Sequence, residues 1–266
     1  MGGLTWVHPE TPLPAASLAQ KNPNGLVAAG ADLSVPRLIE AYRKGIFPWF
    51  GPGDPVLWWS PDPRMVLAPE QMHLSRSLRK QLRQIHKAQL AGDFNVIVTT
   101  DLAFDAVLEG CASRGDQDPK QTWITQSMKT VYQQWHRLGG VHSVEVWVDG
   151  HLAGGLYGVC IGRMFFGESM FTRATNASKV ALAHLAAFFR HQGVRLMDCQ
   201  MQTDHLASLG AQSIDRETFI EYVSQAVNLP PINWCGGWLN HQGELDPNLP
   251  ASVVLPIKAI GYDQAS

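Results

Sequence analysis

The pair Asp149-Gly150 stands between two apolar runs, Ser143 to Val148 and His151 to Cys160. Two residues suffice to join neighbouring strands only as a hairpin, and Asp-Gly tolerates the positive φ its tight turn demands. A third apolar run, Arg163 to Phe171, follows at once, which predicts a three-stranded centre. Ahead of it, a strand is expected over Phe94 to Val98 and a helix from Asp101 to about Ser113. A charged loop with Asp116 and Asp118 then leads to a second helix starting near Thr125. Its inward face reads Met128, Val131, Tyr132, Trp135 and Leu138, and Gly139-Gly140 closes it. Beyond the centre, a helix is expected from Ala177 to His191, ended by Gly193, and a strand from Val194 to Gln200. A short helix (Asp204 to Leu209), a short strand (Gln212 to Ile214) and an amphipathic helix (Asp215 to Val227) complete the regular part.

The first 65 residues read differently. Pro9, Pro12, Pro14 and Pro23-Asn24-Gly25 make them loop-rich. One helix is expected, with Ser34 as N-cap, Pro36 in its first turn, and Val35, Leu38, Ile39 and Tyr42 at helical spacing. Gly45 and Pro48 end it. Between Gly51 and Pro63 lie four prolines and the pair Trp58-Trp59, aromatics in irregular backbone that plug an interface or line a pocket. From Leu74 to Lys87 the chain separates into two stripes. Leu74, Leu78, Leu82 and Ile85 form one; Arg76, Lys80, Arg83 and Lys87 form the other. A basic stripe of this kind is either a solvated face or a surface that tracks phosphates. The expected division is an N-terminal α/loop-rich domain over 1–65, an α+β domain over 66–233 with a mixed sheet flanked by helices, and a tail over 234–266. The tail has one apolar run, Val253 to Pro256, and no role is assigned to it.

Composition narrows the function classes. With 266 residues the chain can bury one core, or one core with a smaller domain beside it. Its 21 Lys and Arg against 23 Asp and Glu exclude a protein that coats nucleic acid nonspecifically, so any RNA contact must be local. No apolar run reaches the roughly 18 residues of a membrane span, and Met1 to Leu13 does not read as a signal peptide. The four cysteines (Cys111, Cys160, Cys199, Cys235) are widely spaced and form neither a zinc ligand set nor a redox pair; a reducing cytosol suits them. Nothing demands more than a monomer.

Several words recur in a fixed order. Residues 25–34 read Gly-Leu-Val-Ala-Ala-Gly-Ala-Asp-Leu-Ser; then come Tyr42-Arg43-Lys44-Gly45-Ile46-Phe47-Pro48-Trp49-Phe50 and Leu57-Trp58-Trp59-Ser60-Pro61-Asp62-Pro63-Arg64. Further on stand Thr122-Trp123-Ile124-Thr125, His142-Ser143-Val144-Glu145-Val146-Trp147 and Phe166-Gly167-Glu168-Ser169-Met170-Phe171. Asn176-Ala177-Ser178-Lys179 and Asp198-Cys199-Gln200 complete the set. In order and spacing, across about Gly25 to Pro230, these resemble the leucyl/phenylalanyl-tRNA–protein transferases. The order of elements likewise resembles the GNAT acyltransferase fold, a mixed sheet that splays where an acyl donor meets an amine.

The resemblance implies aminolysis of an ester. Leucine or phenylalanine, methionine being the open third choice, passes from aminoacyl-tRNA to the α-amine of a protein beginning with Arg or Lys. An activated donor needs neither nucleotide nor metal, so no cofactor is expected. Asp198 and Gln200, two apart on a strand and hence on one face, are placed at the reacting centre. Gln200 cannot be an ordinary base, but its carbonyl can accept a hydrogen bond from the attacking amine; Asp198 is expected to orient that amide. Read without the resemblance, the pair is more readily a buried polar tie from the strand to a neighbour. Glu168 is implied to face the acceptor's basic first residue. Phe165, Met170, Leu182 and Leu185 are implied for the amino-acid pocket, Leu185 replacing a Phe found in some members. Trp49 and Trp123, with Tyr42 and Tyr132, are implied to hold the terminal adenosine and the donor group. Nine Trp in one chain mean that most are structural, so aromatic content alone carries no weight.

Two other readings stay open. An acetyl-CoA-dependent GNAT enzyme cradles pyrophosphate on a glycine-spaced loop opening a helix. The stretch Thr172-Arg173-Ala174-Thr175-Asn176-Ala177-Ser178 has no glycine. A noncatalytic tRNA 3′-end binder would keep Trp49, Trp123 and the basic helix but need neither Asp198 nor Gln200.

Overall fold

Short apolar runs broken by proline cannot make long strands. The N-terminal region accordingly builds only β1 (Trp6–Val7), β2 (Leu26–Gly30), β3 (Phe47–Pro48) and β4 (Leu57–Trp59), a small sheet in the order β1-β2-β4-β3. Helix α1 (Val35–Arg43) lies between β2 and β3, and the Ser34 hydroxyl accepts the Arg37 N–H at its first turn. Its buried face carries Leu38, Ala41 and Tyr42. The computed structural model describes residues 4–30, 32–113 and 123–256; the expected loop with Asp116 and Asp118 lies outside them.

The rest of the chain forms one large sheet and its helices. In chain order these are β5 (Arg64–Leu67), α2 (Arg76–Leu90), β6 (Val96–Thr100), α3 (Phe104–Ala112) and α4 (Gln126–Arg137). Next come β7 (Val141–Val148), β8 (His151–Ile161), β9 (Met164–Thr172), α5 (Ala177–Gln192) and β10 (Met197–Gln200). Last are α6 (Asp204–Ser208), β11 (Gln212–Ile214), α7 (Arg216–Ala226), β12 (Gly237–Leu239) and β13 (Leu245–Asp246). The sheet runs β11-β5-β10-β9-β8-β7-β6-β12-β13. Asp149 and Gly150 both sit at positive φ and turn β7 into β8, as the hairpin reading requires. Every pairing is antiparallel except β9 with β10, which the crossover through α5 makes parallel. The fold is therefore α+β with a mixed sheet flanked by helices.

Two differences from the expected elements have clear causes. The helix read from Asp101 starts at Phe104, because Asp101 sits at φ 53° and spends its carboxylate on the Ser143 N–H and the His142 ring. Leu138 is not inward: it caps α4 and is 69% exposed, one step past the last helical turn. The tail also has a structural place. Strands β12 and β13, of three and two residues, extend the β6 edge, and Trp234 stacks on His142 and packs against Phe188 and Phe189.

Two cores flank the large sheet. One joins the small sheet and α1 to α3 and α4; the other lies under α2 and α5. Strand alternation feeds both, so Phe166 enters the first core and its neighbour Phe165 the second.

Candidate active site

The parallel pair is brief. Strands β9 and β10 register only at Met197 with Phe165 and Asp198 with Phe166, after which β9 continues alone to Thr172. Where the strands part, a cleft of about 820 Å³ opens, walled by Phe165, Met170 and Leu182 among apolar residues and by Glu168 and Asp198 among polar ones. Three of the four residues expected for an apolar pocket thus line one cleft. Leu185 does not: one turn further along α5, it is fully buried in the second core and lines no part of the cleft.

Glu168 does not face the cleft as a bare carboxylate. Its Oε1 accepts from the Tyr42 hydroxyl at 2.7 Å and from Gln200 Nε2 at 2.9 Å, and its Oε2 lies 3.0 Å from the Tyr132 hydroxyl. The two hydroxyls also touch each other, at 2.7 Å. Burial pushes the carboxyl up to about 7; the neighbouring Asp198 charge acts in the same direction, against the two tyrosine hydrogen bonds and Arg64. The same burial, with Glu168 beside them, raises both phenols well above their ordinary value. Tyr42 and Tyr132 are themselves fully buried, so neither offers a ring to an adenosine or a donor group; they serve Glu168 instead.

The expected alternation fails at Asp198 and Gln200. The register shifts between them and Gln200 takes φ 62°, so a bulge ends β10. Asp198 is 1% exposed and does not reach the Gln200 amide. Its Oδ1 accepts the Gln200 main-chain N–H at 2.8 Å and Arg64 Nε at 2.8 Å, while Oδ2 accepts Arg64 Nη2 at 2.6 Å. It is Glu168 that orients the amide. Arg64, fully buried, also donates to the Gly45 carbonyl and lies over the Phe47 and Phe219 rings. This guanidinium is the site residue that sequence reasoning missed. Its signal in the sequence was its place at the end of the run Leu57 to Arg64; in the fold it opens the strand Arg64–Leu67, all four of whose residues are buried.

The remaining candidates lie outside the cleft. Trp49 is 40% exposed, edge-on to Trp59, whose Nε1 donates to the Trp49 carbonyl. Trp123 is half-buried against the first core. The segments that follow them, residues 50–54 and 124–127, share a second, more open hollow of about 680 Å³. Arg76, Lys80, Arg83 and Lys87 are exposed along α2, while Leu78 and Ile85 anchor its other face. Gln81 of α2 donates to the Thr175 carbonyl and accepts from Asn176, which lines the cleft, so the basic helix abuts its rim. Among the described residues no cluster of His, Cys, Asp or Glu could hold a metal, no disulfide is present, and no helix is long and apolar enough to cross a membrane.

Comparison with known proteins adds names. The family described as leucyl/phenylalanyl-tRNA protein transferase matches residues 66–224, and the N-terminal domain of the same family matches 31–62. A leucyl/phenylalanyl-tRNA–protein transferase from Bordetella petrii is 54% identical over 252 residues, covering 95% of this chain and 99% of its own. One from Nitrosomonas europaea is 51% identical over 227 residues, covering 85% and 92%. Among solved structures, a GCN5-related N-acetyltransferase from Kribbella flavida aligns with 66% of this chain and 59% of its own, at 12% identity and a TM-score of 0.33. A likeness that weak carries no argument.

Proposed function

Because the chain belongs to the leucyl/phenylalanyl-tRNA–protein transferase family, we propose that it moves leucine or phenylalanine, methionine being the open third, from aminoacyl-tRNA to the α-amine of proteins that begin with Arg or Lys. The observation that carries this reading is an apolar cleft at the parting of two strands, lined by Glu168, whose carboxyl holds the Gln200 amide. The wall of Phe165, Met170 and Leu182 suits a bulky apolar side chain. In the reaction the amine nitrogen bonds to the ester carbonyl, the ester C–O bond breaks, and one amine proton ends on the tRNA's ribose oxygen. The chain's tasks are to place the two reactants and to guide that proton.

Each side chain has a place in this scheme. Glu168 claims the Gln200 N–H, which leaves the Gln200 carbonyl to accept from the attacking amine. Asp198 acts through the Gln200 main chain, and Arg64 keeps Asp198 in position. Glu168 meets the basic first residue of the acceptor. Trp49 and Trp123 stack the terminal adenosine, a contact worth about 1–3 kcal/mol that asks for no particular sequence. Arg76, Lys80, Arg83 and Lys87 meet tRNA phosphates along α2. The protein acts as a monomer in the cytoplasm with no cofactor, its domains meeting near residue 65, and its product is an N-terminal degradation signal.

The test supplies tRNA carrying labelled leucine and a peptide that starts with Arg, and counts label in the peptide. Transfer that acetyl-CoA does not inhibit is expected. A chain that binds the tRNA end and transfers nothing is an adaptor, and the reading falls.

A further inference from the structure

Four oxygens, one each from Tyr42 and Tyr132 and two from Glu168, form a closed circuit of three contacts: phenol to phenol, and each phenol to one carboxyl oxygen. Each of the three contacts needs a hydrogen. The two phenols supply two. If Glu168 were ionised, both phenols would donate to it, and their oxygens would face each other at 2.7 Å with no hydrogen between them. That arrangement sets lone pair against lone pair between two fully buried phenols, where an unmade hydrogen bond is costly. A third hydrogen, on Glu168 Oε2, resolves the conflict. Oε2 then donates to Tyr132, Tyr132 donates to Tyr42, and Tyr42 donates to Oε1, which also accepts from Gln200. Every donor has one acceptor, and the bonds polarise one another in a single direction.

We propose that Glu168 is a neutral carboxylic acid in the free protein, locked by Tyr42 and Tyr132 in a circuit of three shared hydrogens, and that a cationic acceptor N-terminus opens the circuit by driving the carboxyl proton into solvent. The second half rests on the acceptor reading given above; the first stands on the geometry alone. The groups around the carboxyl agree with it. Tyr42 comes from α1, Tyr132 from α4, Gln200 and the Asp198 carboxylate from β10, and the Arg64 guanidinium from β5. Arg64 is already spent in a two-pronged pair with Asp198, so its pull towards the carboxylate is opposed by the Asp198 charge and outweighed by burial. Lys179 and His205 line the same cleft. An acceptor's guanidinium or ammonium would bring the missing positive charge. Recognition of a basic residue would then carry a cost of one proton, larger in acid than in alkali, and an uncharged acceptor would leave the circuit shut. Tyr42 and Tyr132 act here as positioning residues, holding the acid and, through its Oε1, the Gln200 amide.

Infrared difference spectroscopy on the full chain, wild type minus Glu168→Gln, reads this directly. The subtraction cancels Glu145, the other buried acid pushed to about 7. A protonated-carboxyl C=O band is expected in the free protein on the acid side of about 7 and is lost above it. Its absence there overturns the proposal. Adding a peptide that starts with Arg should bleach the band, and the same peptide starting with Ala should not; equal behaviour of the two overturns the coupling to the acceptor. Tyr42→Phe leaves one donor on each carboxyl oxygen and removes the oxygen–oxygen conflict, so the band should titrate at lower pH. A move to higher pH would mean that the tyrosines serve the carboxylate, and the circuit is refuted. Glu168→Gln should itself stay folded with a thermal midpoint near that of the wild type, since an amide can accept at Oε1 and donate to Tyr132. None of these readouts needs turnover, so failure of the transfer assay is a separate result.

Discussion

Glu145 and Glu168 invite comparison because burial pushes both up to about 7, yet they are built differently. Glu145, on β7, lines no part of the cleft that Glu168 borders. Thr99 from the neighbouring strand donates to its Oε2 at 2.6 Å, and Ser143 donates to its Oε1. Thr99 in turn accepts from Trp147 Nε1, so the hydrogen bonds run as an open chain with a hydrogen for every contact even when Glu145 is ionised. Around Glu168 the donors touch each other and the chain closes into a circuit that lacks a hydrogen unless the acid keeps its own. Two carboxyls with the same acidity can thus hold opposite charge preferences among their neighbours. The one at Glu145 staples β6 to β7; the one at Glu168 borders a cleft and can change its state when something enters.

The largest way to separate the two is Arg64→Ala. It strips Asp198 of its partner beside Glu168 and leaves Glu145 untouched. Breaking a buried ion pair costs about 3–5 kcal/mol, read by denaturant unfolding, and transfer should collapse because Gln200 loses its anchor. A loss below about 1 kcal/mol would show that Arg64 does not hold the site together.

Next in size is the pH dependence of stability. Both acids rise from 4.5 to about 7 on folding, so the folded chain binds protons more tightly between those values. The stability they lend is complete below the unfolded pKa and is lost as pH climbs through about 7. Each shift corresponds to roughly 3 kcal/mol. Glu145→Gln and Glu168→Gln should each flatten part of that fall, and the double variant should flatten most of it. A wild-type stability that rises through this window would contradict both assignments.

Transfer itself divides the regions more finely. Gln200→Ala should slow turnover by about 10²-fold or more while tRNA binding persists, since a positioned polar contact at a reacting centre is worth that much. Glu145→Gln should leave turnover near that of the wild type. Equal losses in the two variants would dissolve the distinction between staple and site.

What the sequence made legible follows from range. The Asp149-Gly150 turn, the caps at Ser34, Thr125 and Asp215, and the helix stop at Gly193 are encoded within a few residues of where they act. The family words named Glu168, Asp198 and Gln200 as candidates. Their partners were not readable, because Arg64 meets Asp198 across 134 residues and Tyr42 meets Glu168 across 126. Periodicity also misled where geometry departs from the ideal. A bulge and a positive φ separate Asp198 from Gln200; the resemblance that named Leu182 and Leu185 together, for its part, says nothing of depth. Strands of two and three residues, as in the tail, are too short to leave a pattern.

The smallest expected effect makes the sharpest comparison. Ser143→Ala removes one donor from Glu145 and nothing else that the acid needs. In an open chain each donor favours the carboxylate, so its loss should raise the Glu145 pKa further and cost about 1 kcal/mol, felt only where the group is ionised. Removing one donor from Glu168, by Tyr42→Phe, should move that acid the other way, because the donor it loses also closed the circuit. Carboxyl titration by infrared difference or carbon NMR reports both signs in one experiment. If both acids shift upward, hydrogen bonds to each simply add, and the closed circuit has no consequence beyond its parts. If they shift apart, connectivity among the donors governs the proton, and the site's response to a charged acceptor follows from the way Tyr42 and Tyr132 face each other.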